Sequence, residues 1–286
     1  MYKEFELDLP RRLDEALELL AGGSRTALLA GGTNLIVDMR AKREQPGRIV
    51  GLGNIAELEG IQNDGTRISI GGRTTVSDLL RSTDIGSSAP SLVEAAGVFA
   101  GQMVRNTATV AGNIACGSPA ADLVPPLMSL DADITLTSKS GERTLALDKY
   151  FSGYKTDERR ADELISRIAW PILPEPSVNS FYKLARRKGD AITVTGVAVT
   201  LAVKDGRCHL ARIALGAVAP VVFRAKQAEA MLEGEVLTAD VIDAAARQAM
   251  AECSPIDDVR ASAKYRLHTV HMLVRRLVGQ AWDQLA

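Results

Sequence analysis

The sequence predicts an α+β fold, with a larger N-terminal part and a smaller unit of sheet plus helices, on three observations. Short apolar strand-like runs alternate with helical spacing over the first fifty residues. The densest proline cluster, Pro171-Ile-Leu-Pro-Glu-Pro176, then marks a boundary. Beyond it, three strand-like runs give way to helical periodicity that continues to the C-terminus.

Taken in order, Leu13, Ala16, Leu17 and Leu20 recur at helical spacing, and Gly22-Gly23 stops that helix. Thr26 to Ala30 is a short apolar run, Gly31-Gly32-Thr33-Asn34 a turn, and Leu35 to Met39 helical again. Arg48 to Leu52 reads as a second buried strand. From residue 58 the pattern changes: Asp64-Gly65 signals a hairpin between Leu58–Ile61 and Arg67–Ile70. A helix beginning near Thr75 carries Asp78 as a variant capping box. Another helix spans about Leu92 to Phe99, and Ala132 to Thr137 alternates as a strand that Ser140-Gly141 turns back. After the prolines come strand-like runs 180–187, 193–203 and 207–216, the last two joined by Asp205-Gly206. Helices follow at about 224–233, 238–251 and 262–281, the last with Leu267, Val270, Leu273, Val274, Leu277 and Val278 on one face.

At 286 residues the chain suits two or three modest domains, and 46% hydrophobic with 24% charged residues is ordinary globular composition. A formal net charge of −1 lacks the basic field that a nucleic acid backbone demands. The start carries acids where a signal peptide needs basic and then apolar residues, and the most apolar stretch, Val194 to Val203, is about half a membrane span. The expectation is a cytoplasmic protein with no membrane span. Cys116, Cys208 and Cys253 are scattered and form no CxxC pair, which argues against a disulfide framework, a zinc site or a cysteine-ligated cluster. No metal site is expected. His268 and His271 share a helical face but lack a third ligand nearby.

Two glycine-bearing turns stand out. In Leu28-Leu-Ala-Gly-Gly-Thr-Asn-Leu35 an apolar strand ends in Gly-Gly, where no Cβ keeps a ligand from the backbone. Successive N–H groups there suit a diphosphate, with the Thr33 hydroxyl and Asn34 amide at a helix start. The competing reading is a strand–helix turn that needs glycine for its geometry alone. The second turn, Thr107 to Asp122, is rich in small residues and hydroxyls, with Asn113 and Asp122 its strong polar side chains. Asp122 reads either as an acceptor for ribityl or ribose hydroxyls or as a helix N-cap before Leu123. Gly51-Leu-Gly-Asn-Ile-Ala56 fits the dinucleotide fingerprint after a strand, but the hairpin at Asp64-Gly65 leaves no room for the crossover helix a Rossmann unit needs. Arg186-Arg187-Lys188 reads as a solvated strand end that could also steer an acidic acceptor.

Further segments align with one family. They are Ala30-Gly-Gly-Thr-Asn-Leu35, Thr109-Val-Ala-Gly-Asn113, Ser118-Pro-Ala-Ala-Asp-Leu123, Phe151-Ser-Gly-Tyr-Lys155, Asp162-Glu-Leu-Ile165, Phe181-Tyr-Lys-Leu-Ala-Arg-Arg187, Leu215-Gly-Ala-Val-Ala-Pro220 and Asp257-Asp-Val-Arg-Ala-Ser-Ala-Lys-Tyr-Arg266. In this order and spacing the chain resembles, nearly end to end, the FAD-binding medium subunits of molybdenum hydroxylases, the carbon monoxide and xanthine dehydrogenase family.

The resemblance implies an FAD-binding PCMH-type (vanillyl-alcohol oxidase-like) fold. Two N-terminal α/β subdomains, 1–57 and 58–174, would precede a C-terminal three-stranded antiparallel sheet with a helical bundle, 177–286. It implies that Leu28, Leu29, Ala30, Gly31, Gly32, Thr33, Asn34 and Leu35, with Thr109, Val110, Ala111, Gly112 and Asn113, cradle the diphosphate of a noncovalent FAD. Asp122 would bind its ribityl or a nearby polar part, and Phe99 or Ala100, Cys116, Leu164, Ile165 and the Tyr182-Lys183 pair would border the remainder. It further implies an oxidoreductase subunit that passes electrons from [2Fe-2S] clusters on a small partner to an external acceptor. A large partner would hold the molybdenum cofactor, in a dimer of heterotrimers. Two alternatives have other requirements. A stand-alone reductase of the UDP-N-acetylenolpyruvoylglucosamine type needs a substrate pocket and a proton donor that no segment supplies, and a scaffold without flavin would not retain both turns. Ala111 stands where the family has the first glycine of TIGGN, and its Cβ would cost about 1 kcal/mol if φ there were positive. Gly189-Asp190-Ala191-Ile192 offers no aromatic ring to shield the flavin, and no cluster-binding insertion is present.

Overall fold

The computed structural model describes residues 3–22 and 25–285. The chain opens with β1 (Glu6–Asp8), α1 (Leu13–Ala21), β2 (Thr26–Leu29), α2 (Leu35–Arg40) and β3 (Arg48–Gly51). The three strands make a parallel sheet in the order β1-β3-β2. The apolar stripe of α1 buries Ala16, Leu17 and Leu20 in one cluster with Val50, Leu52, Ile55 and Leu58. Gly22 caps that helix, and Gly23 lies outside the described residues.

The second unit begins with the hairpin β4 (Ile61–Asn63) and β5 (Arg67–Gly71). Its turn is held by the Asp64 carboxylate, which accepts from the Thr66 and Arg67 backbone N–H groups. The first strand starts later than its apolar run suggests. Leu58 ends a 3₁₀ turn, Ala56–Leu58, and fills the core between the first two units. Six short helices follow: α3 (Val76–Arg81), α4 (Thr83–Ser88), α5 (Pro90–Gly97), α6 (Gln102–Arg105), α7 (Val110–Ala115) and α8 (Val124–Ser129). Thr75 caps α3 reciprocally: its hydroxyl accepts from Asp78 N at 3.1 Å, and the Asp78 carboxylate accepts from Thr75 N at 2.8 Å. The hairpin β6 (Asp133–Ser138) and β7 (Gly141–Ala146), the short pair β8 (Phe151–Gly153) and β9 (Thr156–Asp157), and β10 (Leu164–Pro171) complete the unit. Its antiparallel sheet runs β4-β5-β10-β6-β7. Ile68, Ile70, Ile134, Leu136, Ile168 and Trp170 from that sheet pack with Leu79, Leu92, Ile114 and Leu127 from the helices.

Beyond the prolines, β11 (Ser177–Ala185), β12 (Thr193–Lys204) and β13 (Arg207–Gly216) form an antiparallel sheet. A fourth, two-residue strand β14 (Phe223–Arg224) adds to the β13 edge, one more than the three that the resemblance implied. Helices α9 (Lys226–Ala230), α10 (Ala239–Ala251) and α11 (Ala263–Leu285) follow. The sheet is covered on both faces, which explains why β12 is buried without a break from Thr193 to Ala202. On one face Val199, Leu201 and Ile213 meet Val270, Val274 and Ala246 of the helices. On the other, Asn179 bridges to the second unit: its carbonyl accepts from Ser91 N at 3.0 Å, and its amide donates to Thr200 at 2.6 Å and Ser129 at 3.3 Å. Glu94 of α5 adds a bond from Phe181 N at 2.6 Å. Among the described residues no helix is long and apolar enough to cross a membrane.

Candidate functional site

The two glycine-bearing turns, from different units, meet in space. Leu28 and Leu29 close β2, Ala30 follows, and the backbone of Gly31 runs directly against Thr107 and Ala108. A Cβ on Gly31 would stand 1.8 Å from the Thr107 carbonyl oxygen, a separation no side chain tolerates. Gly32 takes a left-handed φ of 70° and turns the chain into α2. Ile36 N then donates to Gly32 O at 3.1 Å and Asp38 N to Asn34 O at 2.9 Å. Among the described residues, nothing accepts from the backbone N–H groups of Gly31, Gly32, Thr33, Asn34 or Leu35. The Asn34 side chain turns instead to Asp38, at 2.8 Å.

The second turn is more regular than its sequence suggests. Thr109 caps α7, its hydroxyl accepting from Gly112 N at 3.0 Å, and Val110 N donates to Thr74 O at 2.9 Å. Ala111 lies in the first helical turn without positive φ, and its Cβ is buried in the core, so the strain anticipated there does not arise. Asn113 reaches across the loop to accept from Leu123 N at 3.2 Å. Cys116 donates to Asn113 O at 3.1 Å, and burial pushes its thiol above the usual range. Gly117, at φ 59°, packs on the Lys155 backbone, which ties Phe151-Ser-Gly-Tyr-Lys155 to this loop.

Asp122 is not a helix cap: α8 begins at Val124 with Leu123 as its N-cap residue. The carboxylate is buried and receives Lys183 Nζ at 2.7 Å on one oxygen and the Thr193 hydroxyl on the other. Burial pushes Asp122 above the ordinary carboxylate range, against the pull of Lys183 and Thr193. A carboxylate offers about four acceptor positions, so two remain for a ligand's hydroxyls. Lys183 also approaches Val98 O at 3.4 Å and so joins this cluster to the Phe99-Ala100 turn. Ala100 has a positive φ of 36°, and the Arg105 guanidinium holds that turn by donating to Phe99 O at 2.8 Å and Ala100 O at 2.7 Å. Such a non-glycine conformation costs about 1–3 kcal/mol and tends to gather at ligand sites. Gly101 faces the Asp190 carboxylate across the neighbouring loop.

Leu164 and Ile165 are buried, Leu164 in the core shared with the first unit, while the Ile165 carbonyl lies where a Cβ on Gly72 would stand, at 2.3 Å. The structure does not bring Tyr182 to the others. Alternation along β11 points Lys183 at Asp122 and Tyr182 at α11, where Arg276 lies 4.1 Å over its ring. Sequence reasoning missed Thr193 and Arg105. Thr193 carries no local signal, whereas Arg105 sits as a lone cation close to the small-residue stretch. Among the described residues no group of three His, Cys, Asp or Glu side chains could hold a metal.

The free N–H row, the side-chain-free contact between the turns and the partly satisfied carboxylate beyond them fit a dinucleotide with an anionic bridge and a polyhydroxyl arm. Comparison with known proteins agrees. The model of the FAD binding domain in molybdopterin dehydrogenase matches residues 3–173, and that of the CO dehydrogenase flavoprotein C-terminal domain matches 180–281. The carbon monoxide dehydrogenase medium chain of Hydrogenophaga pseudoflava is 33% identical, over 99% of this chain and 98% of its own. The xanthine dehydrogenase FAD-binding subunit of Escherichia coli O157:H7 is 29% identical, over 94% and 93%. A solved structure of the Hydrogenophaga pseudoflava carbon monoxide dehydrogenase superposes with a TM-score of 0.96 over the full length of both chains. Quinoline 2-oxidoreductase from Pseudomonas putida 86 gives 0.92 at 27% identity, over 99% of each chain. With family models that match both parts of the chain and a likeness that runs end to end, the chain belongs to the FAD-binding medium subunits of the carbon monoxide and xanthine dehydrogenase family of oxidoreductases.

Proposed function

We propose that this chain is the electron-transferring flavoprotein subunit of a heteromeric molybdenum hydroxylase. It takes electrons from [2Fe-2S] clusters on a small partner and delivers them to an external acceptor, while a large partner holding the molybdenum cofactor acts on the substrate. A cytoplasmic dimer of heterotrimers is the assembly that goes with this reading. FAD supplies the one- and two-electron chemistry when bound. The chain's own share is to bind and orient. The N–H groups of Gly31 to Leu35, with the turn Thr109 to Asn113, hold the diphosphate without a covalent tether. Asp122 takes ribityl hydroxyls, and Phe99, Ala100, Cys116, Leu164, Ile165 and Lys183 border the remainder.

The observation that carries this reading is the backbone contact at Gly31, which brings together two turns, one of them with a row of N–H groups that find no acceptor among the described residues. The relatives' names, a medium chain and an FAD-binding subunit of multi-chain dehydrogenases, support the relay role. Purification of the untagged protein from its native cells tests it. Two further polypeptides in equal amount, carrying iron and molybdenum, are expected. A chain that purifies alone and oxidises a nicotinamide nucleotide with its own organic substrate would contradict it.

A further inference from the structure

The segment Asp257 to Arg266 stands out in the sequence yet touches none of the proposed cofactor contacts directly. Its last residue, Arg266, lies in the first turn of α11 and is only 3% exposed. One terminal nitrogen donates to Val194 O and to Ala217 O, both at 2.7 Å. The other donates to the Asp258 carboxylate at 2.9 Å. Asp258 is itself fixed, accepting from the backbone N–H groups of Arg260 and Ala261 at 2.8 and 3.1 Å.

Both carbonyls that Arg266 grips lie one step from the Asp122 loop. Val194 follows Thr193, whose hydroxyl donates to Asp122. Ala217, held at a positive φ of 64°, donates its N–H to Pro119 O at 2.7 Å. The planar fork of one guanidinium therefore fixes the start of β12 and the end of β13, and each of these fixes residues 119–122 of the second unit. An ammonium at the same place cannot span three acceptors in one plane.

We propose that Arg266, seated by Asp258, is a positioning residue for the flavin site: it sets the Thr193–Asp122–Lys183 cluster from the far domain. This rests on the reading of Asp122 as a cofactor contact. It gives the C-terminal unit a role in cofactor binding beyond that of a cover, because the strand ends that Arg266 holds cross the boundary between units at two points, Thr193 to Asp122 and Ala217 to Pro119.

The test is a double-mutant cycle on the FAD dissociation constant of the full chain, with wild type, Thr193→Val, Arg266→Lys and the double variant. Melting of each apo chain is recorded in parallel. If Arg266 acts through Thr193, each single change weakens FAD about tenfold and the double change weakens it little more than either, since residues in one network are not additive. Fully additive losses, or an Arg266→Lys chain that melts lower yet binds FAD normally, would overturn the proposal and leave Arg266 a brace of its own domain. Should Arg266→Lys not fold, Asp258→Asn takes its place in the cycle, because it loosens the seat and spares the carbonyl bonds. Asp122→Asn separates the two levels of the claim. If it leaves FAD affinity unchanged, the site reading fails and the proposal with it; if it weakens binding while Arg266→Lys does not, the clamp alone fails.

Discussion

Gly31 is the residue at which the cradle is most exposed to a test. A Cβ there would collide with the Thr107 carbonyl oxygen, and both partners are backbone, so neither can rotate away. Gly31→Val is expected to push the two turns apart, to cost about 1–3 kcal/mol as overpacking does, and to abolish FAD retention. Urea unfolding and a fluorescence titration with FAD read the two effects, and retention at normal stoichiometry would count against the assignment. Lys183 and Asp122 make the second case. Lys183→Met strands a buried carboxylate, which costs about 3–5 kcal/mol when one partner of a buried pair is removed. Burial already raises Asp122 above its ordinary value, and loss of Lys183 raises it further. The folded state then binds the proton more readily than the unfolded one, so the variant's stability should recover as pH falls. A denaturation series at several pH values would show that slope, and a variant equally stable at all of them would refute the charge argument. The geometric need for the glycines was legible, because a strand that ends in Gly-Gly signals a tight turn or a close backbone approach, and both are found here. Thr193 was not, because its partner, Asp122, lies in a loop 71 residues away in sequence.

Among the elements, strands and hairpins were the most readable. Asp64-Gly65, Ser140-Gly141 and Asp205-Gly206 each turn a hairpin as their chemistry requires. The small helix α7 was not readable: Val110, Gly112 and the polar Asn113 are weak helix formers, and tertiary support from Thr74 and the Thr109 cap outweighs propensity. Alternation on β11 likewise separates Tyr182 from Lys183, which a motif treated as a unit conceals. The loop before α11 supplies a prediction at this scale. Burial alone would raise the Asp258 carboxyl, but the N–H groups of Arg260 and Ala261 and the guanidinium groups of Arg260 and Arg266 hold it well below the usual range. A depressed folded-state value contributes stability that is present above the unfolded value of about 4 and lost as pH falls below it. Wild type and Asp258→Asn should therefore differ in urea midpoint at neutral pH and converge under acid. Curves that stay parallel would mean that the carboxylate does not brace the loop.

For the whole molecule, the three units meet through shared apolar clusters, a close backbone approach and buried polar contacts. Gly31 joins the first to the second, and Asn179, Glu94 and the Asp122–Lys183 pair join the second to the third. A cofactor laid along these contacts would touch all three units, so its binding should stabilise the chain as one body. The change of pattern near residue 58 and the proline cluster each precede the start of a new sheet; the contacts between the sheets could not be read, because they depend on which backbones meet. The most direct test of the cradle is a crystal structure of this chain grown with FAD. The diphosphate is expected between the N–H groups of Gly31 to Leu35 and the turn from Thr109 to Asn113, with the ribityl arm at Asp122. A diphosphate bound elsewhere, with both turns free of it, would refute the cradle.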